Sequence, residues 1–512
     1  VTCGGKIWVS TDSQKAKSKY GSKNLEKYYR SRCPGKKILR IDAETVANPE
    51  HPAYQPSEKI NELAALYDIV ICSPSLATGV SVNLRGHFTA VFGIYQGAIS
   101  DNEVRQSLAR VREPVPRFVW CRQIAVGKVG NGESNYKAVA NSKERDCRYN
   151  LQLLKDFDFD LDKAYNPVVL KYWAKYAARI NSSIWDFRET VREGLVAEGH
   201  VLTDCGDDDR DTSGELKALR ILSQVEEAVA VAVAIDIDRE EFEKLEQQRS
   251  KTDTERHQEE KFRLREIYKV EVTPELRQLH QDKWHGKIHL EYLLTHNPDF
   301  VWMRDRKSID SQIKSGDGQL CLQDVRQTTG KATIHKLLNT LQFTDPTDPT
   351  KEWSNKSPEV LEFAGKALKL AADIKILTGI TVTQEKVAKN PIGVVGSFLG
   401  QLGFKFAGSQ RRVGEERVRF YKADGAASAN VFDRAGNKVK EPEGLRSQIF
   451  EAWQKRDELA LFEFQQQGVT AVEADVTLDL KTPASKVRVK KDLYFGSVTA
   501  SSIDIENIPS VT

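Results

Sequence analysis

The sequence predicts an α/β domain, a parallel sheet with helices on both faces, followed by mainly α-helical domains. Up to about residue 125, short and near-continuously apolar runs alternate with helical segments. Such runs are typical of parallel strands covered on both sides and joined by right-handed crossovers. From about residue 140 the pattern changes to long helical periodicities. The five predicted strands are Lys6–Ser10, Lys37–Ile41, Tyr67–Ser73, Phe88–Ile94 and Arg117–Gln123.

Shifts in composition divide the 512 residues into five expected parts. Residues 206–214, rich in aspartate and bounded by glycines, predict a linker. Further on, two helical stretches, a glycine-spaced helix and two strand-like runs (Gly403–Ala407 and Arg417–Tyr421) follow the order of a winged helix-turn-helix. The parts are the sheet domain 1–135, a helical extension 140–205, a long-helix domain 215–342, the winged-helix candidate 352–424, and a tail 425–512 with some strand and no assigned role.

The bulk composition restricts the function classes. Because 76 basic residues face 73 acidic ones, for a net charge of +3, any affinity for nucleic acid needs local basic patches. Seven cysteines without a C-x-x-C pair indicate a reducing compartment. Since no apolar run reaches the length of a membrane span and no signal peptide opens the chain, we expect a cytoplasmic protein without membrane contact.

The first motif follows the third predicted strand. The residues Ser73-Pro-Ser-Leu-Ala-Thr78-Gly79-Val80-Ser81 resemble motif V of superfamily 2 helicases. The resemblance implies that Ser73 and Thr78 contact DNA and that Gly79 and Ser81 lie at the nucleotide, although Ser81 stands where the family usually has aspartate. A tight strand-to-helix turn of any doubly wound fold is the alternative interpretation.

The second motif follows the fourth predicted strand. Gln106-Ser-Leu-Ala109-Arg110-Val-Arg112 resembles motif VI, normally Q-x-x-G-R-x-x-R. Arginine suits this motif because its planar, permanently charged guanidinium matches developing phosphoryl charge. The candidate catalytic residues are therefore Arg110, Arg112 and Gln106. Ala109 replaces the glycine, and Glu113 occupies the place of the second arginine. An amphipathic helix with two surface arginines is the alternative.

Both motifs belong to the second RecA-like lobe of such motors, which lacks the phosphate-binding loop. No G-x-x-x-x-G-K-[ST] occurs in the chain. We therefore expect ATP and Mg²⁺ to be bound mainly by an upstream RecA-like lobe of the same protein, and this chain alone not to hydrolyse ATP. The only methionine is Met303 and the first residue is Val1, which is consistent with the carboxy-terminal portion of a larger protein.

A wider resemblance is strong over about residues 1–200, weaker over 201–425, and covers little of 425–512. The stretches KIWVSTDSQKA, ILRIDAETVANPEHPAY, YDIVICSPSLATGVSV, HFTAVFGIYQGAISDNEVRQSLARVR and PRFVWC are similar to cyanobacterial-type plasmid replication proteins. These resemble herpesvirus-type origin-binding helicases in their motor. The resemblance implies an upstream lobe with the phosphate-binding loop and a role in plasmid DNA replication.

A basic hairpin is the second candidate DNA contact. Arg411, Arg412, Arg417 and Arg419 lie on and beside its predicted tip. Arginines placed in this way contact phosphates and give sequence-independent, salt-dependent affinity. Base reading would fall to the preceding helix, near Gly393–Gln401. A stable hairpin with ordinary surface arginines is the alternative.

The leading hypothesis is an ATP-driven DNA helicase or translocase in plasmid replication, in which this lobe supplies the arginine finger and DNA contacts. The runner-up is a DNA-binding replication initiator with a non-catalytic helicase-like lobe. No metal site is expected. His280, His285 and His289 lack cysteine or acidic partners at ligand spacing. The alternating aspartates of 156–162 lack the glycine and glutamate of a calcium loop.

Overall fold

The computed structural model describes residues 5–76, 80–144, 167–206, 210–295, 331, 334–341, 351–424, 431–466, 493–495 and 498–500. It confirms the predicted parallel sheet. Five strands in the order β2-β3-β1-β4-β5 pair in parallel throughout. They are β1 (Ile7–Thr11), β2 (Ile38–Ile41), β3 (Ile69–Cys72), β4 (Ala90–Tyr95) and β5 (Arg117–Cys121).

Helices lie on both faces of the sheet, as predicted. On one face, α1 (Ser22–Arg32) covers the apolar side chains of β1, β2 and β3. On the other face, α2 (Ile60–Ala65) and α3 (Asp101–Leu108) pack against a core that contains the fully buried Trp8. The carboxyl ends of all five strands meet at one edge, which is where ligands bind in open parallel sheets.

The predicted helical extension contains α4 (Pro167–Trp185) and α5 (Phe187–Ala197). Phe187, Val191 and Leu195 of α5 are buried in the same core as the second face of the sheet. The extension therefore completes the sheet domain, because α5 covers apolar surface that α2 and α3 leave open.

The long-helix region follows. Its helices are α6 (Arg210–Val233), α7 (Arg239–Gln247), α8 (Asp253–Tyr268), α9 (Pro274–Gln281), α10 (His285–Thr295) and a short 3₁₀ helix (Lys336–Leu341). Asp238 and Thr252 form capping boxes that fix the starts of α7 and α8. Helix α6 begins inside the predicted linker 206–214, of which residues 207–209 lie outside the described residues. The linker prediction was wrong from Arg210 onward because Leu216 is buried on the sheet face beside α1.

The last helical part contains α11 (Pro358–Lys369), α12 (Ala371–Thr378), α13 (Gln384–Lys389) and α14 (Pro391–Leu402). A hairpin of β6 (Lys405–Val413) and β7 (Glu416–Asp424) follows, and Trp353 forms a further antiparallel bridge with Tyr421. The strands are longer than predicted. Most of the expected loop, Gly408–Glu415, is paired strand, and only Gly414 and Glu415 turn.

The tail contains more helix than its sequence suggested. Short strands β8 (Val431–Phe432) and β9 (Lys438–Val439) precede α15 (Leu445–Gln466), and a small ladder joins β10 (Leu493–Phe495) to β11 (Val498–Ala500). Trp453 of α15 is fully buried in the large core of the helical region. None of the described helices is both long and apolar enough to cross a membrane.

Candidate functional site

The segments that resemble motifs V and VI lie side by side. Val82 and Val111 form a parallel β-bridge, in which Val82 N donates to the carbonyl of Arg110 at 2.8 Å and Arg112 N donates to the carbonyl of Val82 at 3.0 Å. Both valines are fully buried. The bridge thus fixes the two motif segments to each other, although Val82 and Val111 are 29 positions apart in the sequence.

Arg110 reaches back to the motif V segment. Its Nη2 donates to the carbonyl of Leu76 at 3.1 Å and its Nη1 to the carbonyl of Val80 at 3.5 Å. These two carbonyls flank residues 77–79. The candidate residues Thr78 and Gly79 belong to that stretch, which lies outside the described residues. The guanidinium therefore connects the two ends of the segment that carries them.

Arg112 also contacts the motif V segment, through its side chain. Its Nε and Nη2 donate to the hydroxyl of Ser81 at 3.3 and 3.2 Å. Glu113, which stands in place of the second arginine, accepts a hydrogen bond from Gly86 N. Thus Ser81 takes part in joining the two segments, and Glu113 binds the backbone of the loop between them.

Helix α3 positions the motif VI segment. Ser100 and Glu103 form a capping box at its start. On its buried side, the hydroxyl of Ser107 hydrogen bonds to that of Ser10 on β1. Gln106, the neighbouring candidate catalytic residue, is on the exposed side of the helix. This orientation places Gln106 toward solvent while Ser107 anchors the helix to the sheet.

Ser73 lies at the carboxyl end of β3, as expected, but its side chain is buried. Its backbone N donates to the carbonyl of Ile41, and its hydroxyl lies 3.1 Å from that of Ser75. Only 4% of Ser73 is exposed. A phosphate contact by this hydroxyl would therefore require the segment after β3 to move outward.

Asp12, at the carboxyl end of β1, is a buried acid that the sequence analysis did not single out. Its Oδ2 accepts hydrogen bonds from Gln96 N at 2.7 Å and Ala98 N at 2.9 Å, whereas its Oδ1 is buried without a partner among the described residues. Burial raises the pKa of Asp12, and the backbone donors only partly oppose this. The carboxylate fixes the turn between β4 and α3. Its position directly after the first strand was the signal available in the sequence.

The four hairpin arginines lie on opposite faces. Arg412 is opposite Arg417 in the antiparallel register, and Arg419 is opposite Gln410, so these three arginines share one face. Nearer the base, the same face carries Phe406 and Tyr421, which pack on the helical core. The three exposed arginines therefore lie nearer the hairpin tip on the same face that packs against the core at the hairpin base.

Arg411 belongs to the other face of the hairpin. Its guanidinium lies 3.8 Å from the ring centroid of Phe420 and forms an ion pair with Glu352 at 2.7 Å. Arg411 is thus held by an acidic neighbour.

The helix expected to read bases, α14, shows an unusual exposed side. Its less buried positions carry no charge; they are Gly393, Gly396, Ser397, Gly400 and Gln401, whose side-chain amide donates to the carbonyl of Thr378. Asn390 caps the helix through a hydrogen bond to Gly393 N. The surface of α14 is suited to close backbone approach, and it lacks the arginine or lysine that reads guanine.

The basic residues of α1 and of the loop before it contact the helical region. Lys17 pairs with Asp282 of the α9–α10 connection, Lys23 with Glu227 of α6, and Lys27 with Glu226 of α6. Arg32 likewise pairs with Glu215. These four ion pairs form an intramolecular interface, which accounts for the charges of Lys17, Lys23, Lys27 and Arg32.

The three histidines pack among aromatic rings. His280 Nδ1 lies 3.1 Å from the hydroxyl of Tyr268, and the rings of His285 and His289 stack near Trp453. Within the ranges that the structure describes, no group of three or more histidine, cysteine, aspartate or glutamate residues could hold a metal ion. The aspartates of 156–162 lie outside those ranges.

Comparison with known proteins shows a similarity to a longer protein. No family model matches the chain. The chain is 33% identical over 469 residues to an uncharacterized protein from Picosynechococcus sp. (strain PCC 7002). The aligned region covers 90% of this chain and 44% of that relative, so the chain spans less than half of the relative's length.

Proposed function

We propose that this chain supplies the second, RecA-like lobe of an ATP-driven DNA helicase or translocase that acts in plasmid DNA replication. The observation that supports this most is the pairing of the motif V-like and motif VI-like segments through Val82 and Val111, with Arg110 bonded across the former. In this proposal ATP and Mg²⁺ are bound mainly by another lobe of the same protein, and Arg110 completes the site.

The contacts of Arg110 suggest how nucleotide state would be coupled to DNA. The guanidinium now donates to two neutral carbonyls, those of Leu76 and Val80. A γ-phosphate on an opposing lobe would compete for these donors, because charged acceptors form stronger hydrogen bonds than neutral ones. Movement of Arg110 toward the phosphate would release the segment that carries Ser73 and Thr78, the candidate DNA contacts.

The test is DNA-stimulated ATP hydrolysis by a protein that joins this chain to an upstream lobe with a phosphate-binding loop. Arg110→Ala is expected to lower kcat by about 10³-fold, the usual effect of removing an arginine finger. Arg110→Lys should recover little, because a point charge does not replace the planar fork. Arg239→Ala, an exposed change on α7, serves as the control. An unchanged rate in Arg110→Ala would contradict the finger assignment.

The winged-helix interpretation of 352–424 belongs to the same proposal. The Trp353 bridge, α11 to α14 and the hairpin follow the order of that fold. The uncharged surface of α14 and the arginines at the tip favour phosphate contacts over base reading. Replacing Arg412 and Arg417 together should weaken duplex binding and reduce the salt slope by about 2, one per lost phosphate contact. Arg411→Ala, on the opposite face, is the matched control.

The second candidate is a replication initiator whose helicase-like lobe is not catalytic. The contacts of Arg112 with Ser81 and of Glu113 with Gly86 favour it, because they give the departures from the family pattern a structural role. Specific binding of plasmid origin DNA by the joined protein, without any ATP hydrolysis, would support the initiator and exclude the motor.

A further inference from the structure

The described helices leave one half of a sheet face partly exposed. Helix α1 covers this face over β1, β2 and β3, where Val9, Ile69 and Ile71 are fully buried. Over β4 and β5 the same face exposes aromatic side chains, since Phe118 and Trp120 of β5 remain 43% and 39% exposed. Large aromatic rings exposed together in this way mark an interaction site more often than isolated surface residues do.

The exposed rings form an ordered row. Phe118 is paired in register with Phe92 and Trp120 with Ile94, so all four side chains share one face. The rings of Phe92 and Phe118 stack with centroids 5.1 Å apart, and the ring centroids of Trp120 and Tyr20 are 5.2 Å apart. Phe118 and Trp120 are two residues apart on one strand, about 7 Å. That distance suits two neighbouring bases of an extended single strand.

The surroundings of this row are basic. Lys19 and Arg122 lie beside the rings, whereas Lys17 and Lys23 are paired with acids of the helical region. Lys19 lies over the ring of Tyr20, 4.8 Å from its centroid. Arg122 continues the pairing of β5 through its backbone and falls on the same face as Phe118 and Trp120. A polyanion is therefore the complementary ligand.

We infer that the open half of the sheet, formed by Phe92, Phe118, Trp120 and Tyr20 with Lys19 and Arg122 at its carboxyl end, binds single-stranded nucleic acid. Two unpaired bases stack on Phe118 and Trp120, and the phosphates run past the cations. Stacking of this kind tolerates any sequence, because every base has a π-face. The site rests on the proposed DNA-processing function for its ligand, and it needs neither ATP nor the opposing lobe.

The test is binding of the full chain to a fluorescein-labelled oligo(dT) of 20 nucleotides, measured by anisotropy, beside a labelled duplex of equal length. Trp120→Ala and Phe118→Ala should each weaken oligo(dT) binding by about 10-fold, since one base–aromatic stack contributes about 1–3 kcal/mol. Trp120→Phe should retain most of the affinity. Duplex binding should not change in any of the three variants.

The controls separate this site from the hairpin. Leu66→Ala removes an exposed apolar side chain elsewhere on the domain and should leave oligo(dT) binding intact. The double variant of Arg412 and Arg417 should lose duplex affinity. Adding Trp120→Ala to it should weaken oligo(dT) binding as much as in the unsubstituted chain. If the unsubstituted chain bound oligo(dT) but not the duplex, the result would count against the proposed function of the hairpin and not against this site. Unchanged oligo(dT) affinity in both ring variants would overturn the inference, as would a shift of the chain's sedimentation on Trp120→Ala, which would identify the face as a protein interface.

Discussion

Lys23 Nζ lies 2.9 Å from Glu227 Oε1, and this contact joins the helix beside the sheet to the long helix α6. Glu44 also pairs with Lys23, and Arg277 of α9 pairs with Glu227 at 3.1 Å. Burial alone would raise the pKa of Glu227, but the two cations outweigh it, so that pKa lies below its usual value. The sheet domain and the helical region are thus connected through a largely buried network of charges.

Glu227→Gln should destabilise the chain by about 2 kcal/mol at pH 7, because it leaves Lys23 and Arg277 with one acidic partner each in a buried setting. Glu226→Gln is the matched control, since its pair with Lys27 is exposed and such pairs contribute about 0–1 kcal/mol. The free energies come from urea unfolding.

The destabilisation caused by Glu227→Gln should depend on pH. A carboxyl with a lowered folded pKa stabilises the protein above its unfolded pKa and loses that contribution as the pH falls through the folded pKa. The difference between wild type and Glu227→Gln should therefore shrink from pH 7 toward pH 3. A difference that stayed constant over this range would show that the charge of Glu227 is not its cause.

Ser81→Asp should stabilise the motif V segment. An aspartate there would face the guanidinium of Arg112, which now donates to the Ser81 hydroxyl. Because Arg112 is exposed, the gain should be modest, about 0.5 kcal/mol. In an Arg112→Ala background the gain should disappear, so the double-mutant cycle measured by thermal unfolding isolates the pair. Equal effects of Ser81→Asp in both backgrounds would rule out this contact as the source.

Gly93→Ala should disturb the packing of α3 against the sheet. A Cβ at Gly93 would lie 2.6 Å from the ring of Tyr95 and 2.8 Å from a methyl of Leu108, both of them buried. Overpacking of this kind costs about 1–3 kcal/mol. Gly214→Ala is the matched control, because nothing lies within 4 Å of a Cβ on that helical residue, and it should stabilise by about 0.5–1 kcal/mol. Chemical denaturation of both variants measures the contrast, and equal stabilities would contradict it.

The sequence was sufficient to predict the sheet. Each of the five strands lies within a few residues of its predicted position, because buried parallel strands have a local signature of continuous apolar, β-branched residues. The motif resemblances singled out Arg110 and Ser81. Which side chain bonds to which did not, since Arg112 and Ser81 are 31 residues apart and their contact depends on the Val82–Val111 bridge.

Tertiary packing explains what was missed. The segment from Arg210 has the composition of a linker, but Leu216 is buried against the sheet. Helix α15 showed no clear pattern, yet Trp453 is buried and donates its indole N–H to the carbonyl of Ile267. In both cases, contacts distant in the sequence determine the helix, and local propensity is too weak a guide.

His335 makes the last prediction, an acid sensitivity of the helical core. Its side chain is fully buried beside Phe398, and its Nδ1 lies 2.7 Å from the carbonyl of Lys331. Burial lowers the pKa of His335 to about 4. Because the unfolded chain binds the proton near pH 6.5, stability is complete above that pH and declines as the pH falls toward 4.

Between pH 7.5 and pH 5 this histidine should account for a loss of about 2 kcal/mol. His335→Leu should remove that part of the decline, whereas His200→Gln, at an exposed position, should leave it unchanged. Urea unfolding at the two pH values measures both, and an equally steep decline in His335→Leu would assign the acid sensitivity to other groups.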